Sequence, residues 1–266
     1  MSVLGSIGKA RRLGRMFDKT SGRLVCVPLD HGMQVGAIAG LEDPARLIDT
    51  VVAAGVDAVI INPGLYIRHA ERFVGGPAVI LRLDQTTMWR TGGPLGYPDT
   101  HTRMVATVEE AAELGAEAVI TYLFTCNNRP EEETRSFEIC GAVATAARRL
   151  GIVHVVEAMA ANGGFARRED PDVVAMNCRM AGELGADLIK TDWCEDAGRF
   201  RAIADQSLAP VIVAGGASLG SDAAVAKFAR TVIGAGAKGV MFGRNVFQAK
   251  NPAKLIGDIV KAVHGR

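Results

Sequence analysis

Short apolar runs rich in Val and Ile alternate along the chain with longer stretches whose apolar residues fall three and four positions apart. This is the pattern of strands that each lead into a crossover helix. Eight such runs stand out, at residues 24–30 (LVCVPLD), 58–62, 78–84, 118–124, 153–159, 187–193 (DLIKTDW), 210–216 and 239–245. The stretches before several of them close on a similar phrase, AAGVDAV, ELGAEAV, ELGADLI or GAGAKGV, in which the glycine supplies a left-handed helix end. An open doubly wound sheet would carry G-x-G-x-x-G after its first strand, but the turn there reads DHGMQVG. The pattern therefore predicts one closed (β/α)8 TIM barrel spanning residues 1–266, close to the roughly 250 residues such barrels use. Residues 1–23 read as a short N-terminal helical extension that plugs the barrel floor. Residues 85–107, with Gly92, Gly93, Pro94, Gly96 and Pro98, read as a loop over the active face.

Composition then narrows the kind of chemistry. With 48% hydrophobic and 22% charged residues the chain has the balance of an ordinary globular protein, and a net charge of +1 offers no footprint for nucleic acid or an anionic membrane. The expected partner is a small molecule. Five widely spaced cysteines with no C-x-x-C pair point to reduced thiols and a cytoplasmic location. No run is long enough for a signal-peptide core or a membrane span, so neither export nor insertion is expected. The five histidines are scattered without ligand spacing, so no metal and no cofactor are expected.

In a barrel the site lies at the C-terminal ends of the strands, which directs attention to polar residues late in each run: Asp30, Asn62, Asp84, Tyr122, Glu157 and Lys190. Strand alternation turns Lys190 inward together with Leu188 and Asp192, while Ile189 faces the helices. Such a lysine is either an ion-pair partner of Asp30, Asp84 or Glu157, or an amine that attacks a carbonyl. Desolvation and nearby cations favour the second role in general. Asp30 is the matching acid/base candidate after the first run, with His31 beside it. Glu157 is either a second acid/base group or a salt-bridge partner of Arg82 or Lys190. The glycine-rich ends of the last two runs, VAGGAS and FGRN, suit a phosphate held by the backbone at Gly215, Gly216, Ala217 and Gly243 and by Arg244. Trp89, Tyr97, Asn127 and Arg129 are candidates for the pocket wall.

The segments VPLDHGMQVGAIAGL, GADLIKTDW, APVIVAGGAS and GAKGVMFGRNVFQ, in that order, resemble the class I aldolases grouped around archaeal-type fructose-bisphosphate aldolase. That group includes aminodideoxyheptulosonate synthases and a thiolase acting on a phosphorylated autoinducer-2 product. The resemblance implies a Schiff-base lysine at Lys190, an acid/base aspartate at Asp30, a phosphorylated carbonyl substrate bound near Gly215, Gly216, Gly243 and Arg244, and a homo-oligomer, commonly a decamer. The fifth run departs from it. Where the aldolases and heptulosonate synthases place a catalytic tyrosine before Pro-Arg-Gly, this chain has Met159 followed by Ala160, Ala161 and Asn162. A thioether cannot transfer a proton, so Glu157 takes over the relay, or the reaction is a thiolase-like acyl transfer to coenzyme A. A catalytically silent barrel that binds a sugar phosphate is the third reading.

Overall fold

The computed structural model describes residues 3–90, 96 and 100–266. Ten strands are present among them: β1 Leu24–Pro28, β2 Ala58–Ile61, β3 Ala78–Arg82, β4 Asp84–Thr86, β5 Thr102–Met104, β6 Ala118–Thr125, β7 Val153–Ala160, β8 Leu188–Thr191, β9 Val211–Ala214 and β10 Gly239–Met241. Eight of them close into a parallel barrel in the order β1-β10-β9-β8-β7-β6-β3-β2, with helices between consecutive strands. The eight apolar runs are these eight strands.

The remaining two, β4 and β5, form an antiparallel hairpin with Asp84 opposite Met104 and Thr86 opposite Thr102. Part of what the sequence marks as loop is therefore ordered strand. Gly92, Gly93, Pro94, Tyr97 and Pro98 lie outside the described residues.

Parity along each strand divides the barrel into two apolar regions. Val25, Val27, Val59, Ile61, Ile189 and Val213 face outward onto the helices, whereas Leu24, Cys26, Ile60, Ile80, Ile120, Val155, Leu188 and Ile212 fill the lower interior. The helix Val3–Met16 closes this lower end: Met16 is fully buried among the interior residues, and Leu13 and Phe17 pack against the same cluster. Lys9 fastens the plug through its ion pair to Asp187, at 2.8 Å. At the glycine-containing phrases the chain leaves its helices at Gly55, Gly115, Gly185 and Gly236, all with positive φ, as the helix-end reading requires. No helix among the described residues is long and apolar enough to cross a membrane.

The candidate active site

Above the apolar floor the inward positions change character. Continuing the same parity from Cys26, Ile80, Ile120, Val155 and Leu188 brings Asp30, Arg82, Tyr122, Glu157 and Lys190 into the upper interior, all at most 6% exposed. They line one cavity of about 220 Å3, together with His31, Gln34, Trp89, Met159, Arg168, Gly215, Gly216, Gly243 and Arg244.

Lys190 and Glu157 are register partners on the adjacent strands β8 and β7. Their side chains leave the sheet on the same face and meet at 2.6 Å, Nζ to Oε1. The other Glu157 oxygen accepts from Nη2 of Arg82 at 2.5 Å. Arg82 also donates through Nε to Asp30 at 2.8 Å and through Nη1 to Asp84 at 3.4 Å. A fully buried guanidinium thus joins three carboxylates from three parts of the barrel. Burial works against the charge of every member, yet the outcomes differ. Asp30 is held far below the usual carboxylate range by Arg82, aided by His31 and Lys190. Glu157 is likewise held down by Lys190 and Arg82. For Asp84 burial prevails over Arg82 and pushes the carboxyl up to about 6. The salt-bridge reading of Glu157 is therefore realised with both of its partners, Lys190 and Arg82.

Asp30 stands where β1 gives way to the short helix His31–Val35, and its backbone carbonyl accepts from the amide nitrogen of Asn62 at 2.8 Å. His31 Nδ1 is 3.5 Å from Asp30 Oδ1, and the imidazole packs edge-on against Phe247. Gly243 is needed beneath it, since a Cβ there would come within 2.6 Å of His31 Cε1.

The glycine-rich rim is shaped by Asn245, whose amide nitrogen donates to the carbonyls of Gly215 (3.0 Å) and Ala217 (3.1 Å) and whose oxygen accepts from Leu219 N (3.0 Å). With those carbonyls drawn to Asn245, the N–H groups of Gly216, Ala217 and Ser218 have no protein acceptor among the described residues. Arg244 donates to the Gly216 carbonyl at 2.9 Å. Gly215, Gly216, Gly243 and Arg244 line the cavity, while Ala217 lies one step outside its lining.

A second wall comes from loops. Arg168 grips Asp192 with two hydrogen bonds, of 3.0 and 2.6 Å, and also donates to Met159 Sδ at 3.2 Å. Its guanidinium lies 5.3 Å from the Trp89 ring, and Trp89 Nε1 donates to the Tyr122 hydroxyl at 3.2 Å. Gln34 accepts from Thr86 N, while its own amide nitrogen, buried at the cavity edge, finds no partner among the described residues. Of the four wall candidates, Trp89 lines the cavity and Tyr97 lies outside the described residues. Asn127 and Arg129 do not line it; they shape the turn into the helix Pro130–Leu150, Asn127 Oδ1 accepting from Arg129 N. Gln34, Arg168 and Asn245 are the residues that sequence reasoning passed over. Arg82 entered it only as a salt-bridge partner.

An eightfold barrel with an inward lysine, buried carboxylates and a glycine-rich rim is the architecture of the Schiff-base aldolases. Residues 24–249 match the DeoC/LacD family aldolase, and the chain belongs to that family. It is 36% identical to a 2-amino-3,7-dideoxy-D-threo-hept-6-ulosonate synthase of Halobacterium salinarum, over 97% of this chain and 92% of that one. It is 31% identical to an uncharacterised aldolase of Saccharolobus solfataricus, over 97% of this chain and 95% of that one. Among solved structures it is similar to an archaeal fructose-1,6-bisphosphate aldolase whose catalytic lysine is covalently bound to the carbinolamine intermediate of its substrate. That likeness has a TM-score of 0.83 and 25% identity, covering 96% of this chain and 99% of that one.

Proposed function

We propose that the chain makes or breaks a C–C bond beside the keto group of a phosphorylated substrate, with Lys190 forming the Schiff base. The observation that carries this reading is the 2.6 Å pairing of Lys190 Nζ with Glu157 at the base of a cavity whose rim presents free backbone N–H groups. Anions suit such a rim, because unpartnered amides and Arg244 offer several donors at once.

In this reading the Lys190 amine attacks the keto carbon, Glu157 carries a proton from the attacking nitrogen to the oxygen, and with one further proton taken up from solvent that oxygen leaves as water to give the iminium. The iminium then draws electrons from the adjacent bond. Asp30, ionised and flanked by His31, takes the proton from the carbon next to the iminium when the enamine forms. Gln34 and Arg168 supply donors for the rest of the substrate. No metal or cofactor enters these steps.

Borohydride reduction during incubation with dihydroxyacetone phosphate is expected to add a stable mass to the peptide containing Lys190, and Lys190→Met is expected to abolish adduct and turnover together. Labelling at another lysine, or turnover that survives Lys190→Met, refutes the assignment. Met159 favours one second reading, because it stands where similar enzymes carry a tyrosine. Thioester formation with added coenzyme A, without aldehyde release, would select the acyl transfer.

A further inference from the structure

Carbon–carbon bond formation on an enamine has a need that the groups paired around Lys190 do not meet. When the enamine carbon attacks an acceptor aldehyde, the carbonyl electrons move onto oxygen, and that oxygen must receive a proton. Glu157 is ionised and held by Lys190 and Arg82, and Asp30, held by Arg82, returns to its ionised form once the proton it takes from the donor carbon passes to solvent, so both are poorly placed to give one. They are acceptors. Met159 has no proton to give, and its sulfur already faces Arg168.

Tyr122 has what the others lack. It is the register partner of Glu157, which is in turn the register partner of Lys190, so the three form one row across β6, β7 and β8, and Tyr122 stands two strand spacings, roughly 10 Å, from Lys190. Its ring lines the cavity, stacked on Phe124 and 3.9 Å from the Arg82 guanidinium carbon. The indole N–H of Trp89 donates to the phenol oxygen at 3.2 Å. An indole can only donate, so the phenol's own hydrogen is left with no protein acceptor among the described residues. The hydroxyl also lies toward the wall built by Trp89, Arg168 and Met159.

We propose that Tyr122 is the acid that protonates the acceptor oxygen as the new C–C bond forms. In this step the enamine carbon bonds to the aldehyde carbon, the enamine nitrogen becomes the iminium nitrogen, and the aldehyde oxygen takes the phenol hydrogen. The resulting phenolate is stabilised by the Trp89 N–H and by Arg82. Water that hydrolyses the iminium releases one proton, which restores the phenol. Cleavage runs through the same transfers in reverse. Burial raises the Tyr122 phenol well above its ordinary range, against the pull of Arg82, so the group is protonated before the step.

The inference rests on the imine reading above, and its test separates the two. Tyr122→Phe keeps the ring, its stack and the Arg82 contact and removes only the hydroxyl. With dihydroxyacetone phosphate as donor and a panel of phosphorylated and unphosphorylated aldehydes as acceptors, the variant is expected to trap the Lys190 adduct as the wild type does. It should exchange the donor's carbon-bound hydrogen with deuterated water at the wild-type rate, yet form the C–C product about 10²-fold or more slowly. Trp89→Phe, which keeps the phenol and removes its anchor, should cost less than Tyr122→Phe. Near wild-type product formation by Tyr122→Phe overturns the inference, and so does loss of adduct or exchange in parallel with product, since that marks a structural role. Absence of any adduct in the wild-type chain overturns the imine reading and the inference with it.

Discussion

Glu157 Oε1 lies 2.6 Å from Lys190 Nζ because the two residues face each other in register across neighbouring strands of the barrel. The pairing is a property of the sheet and not of a flexible loop, so the proton partner of the lysine is fixed before substrate arrives. Replacing Glu157 by Gln keeps the shape and removes the charge. Turnover is expected to fall by about 10² or more, while the Lys190 adduct still forms, more slowly, on prolonged incubation. Because two buried cations lose their shared anion, stability is expected to drop by about 3 to 5 kcal/mol. Single-turnover rates, borohydride trapping and urea midpoints check the three statements separately, and unchanged turnover would make Glu157 purely structural.

Asp84 sets a pH dependence of stability. Its carboxyl is raised from the usual 3.8 to about 6 by burial, so between these values the folded chain holds a proton that the unfolded chain releases. The sign follows: this contribution is fully present below about 4 and is lost as pH rises through about 6, on the order of 3 kcal/mol at 1.36 kcal/mol per unit. In Asp84→Asn the titration is gone. Relative to Asp84→Asn, the wild type's urea midpoint should therefore be higher at about pH 4.5 than at about pH 7.5. Identical pH profiles for the two proteins would contradict the assignment.

Asn245 organises the rim without lining the cavity. Asn245→Ala releases the carbonyls of Gly215 and Ala217 and the N–H of Leu219, so the neighbouring N–H groups lose their common orientation. The expected outcome is a KM for phosphorylated substrates raised by 10-fold or more, in the order-of-magnitude sense of roughly one charge-assisted hydrogen bond lost, with kcat little changed. Unphosphorylated analogues should be affected far less. Equal losses for both would remove phosphate from the role of the rim.

Much of this was legible in the sequence because strand parity is strict. A period of two placed Asp30, Glu157 and Lys190 on the interior face, and the apolar runs marked all eight barrel strands. The same parity places Arg82 with Asp84, two residues apart on the third run, and so contained the signal for the cation at the centre of the cluster. What it could not convey is that Arg82 reaches Asp30 and Glu157 at once, which depends on the curvature that closes the barrel. Arg168 was out of reach for a different reason. It sits in a loop with no period, and only its hydrogen bonds to Asp192 bring it over the cavity. Gln34 and Asn245 act through single amide groups at turns, where no residue pattern distinguishes a tether from a solvated side chain.

The plug formed by the helix Val3–Met16 makes the barrel a vessel with one door. Met16 closes the lower end among fully buried apolar side chains, so the floor beneath Lys190 is packed shut among the described residues. In the proposed reaction, donor, acceptor, product and the water that releases the imine then share the cavity mouth lined by Trp89 and Arg244. Traffic then has an order imposed by depth: the partner bound to the lysine enters first and leaves last, and the second partner waits above it. If the proposed reaction holds, an excess of the aldehyde partner would crowd this shared entrance, and inhibition by that partner, competitive with the donor, is the expected consequence of closing the floor.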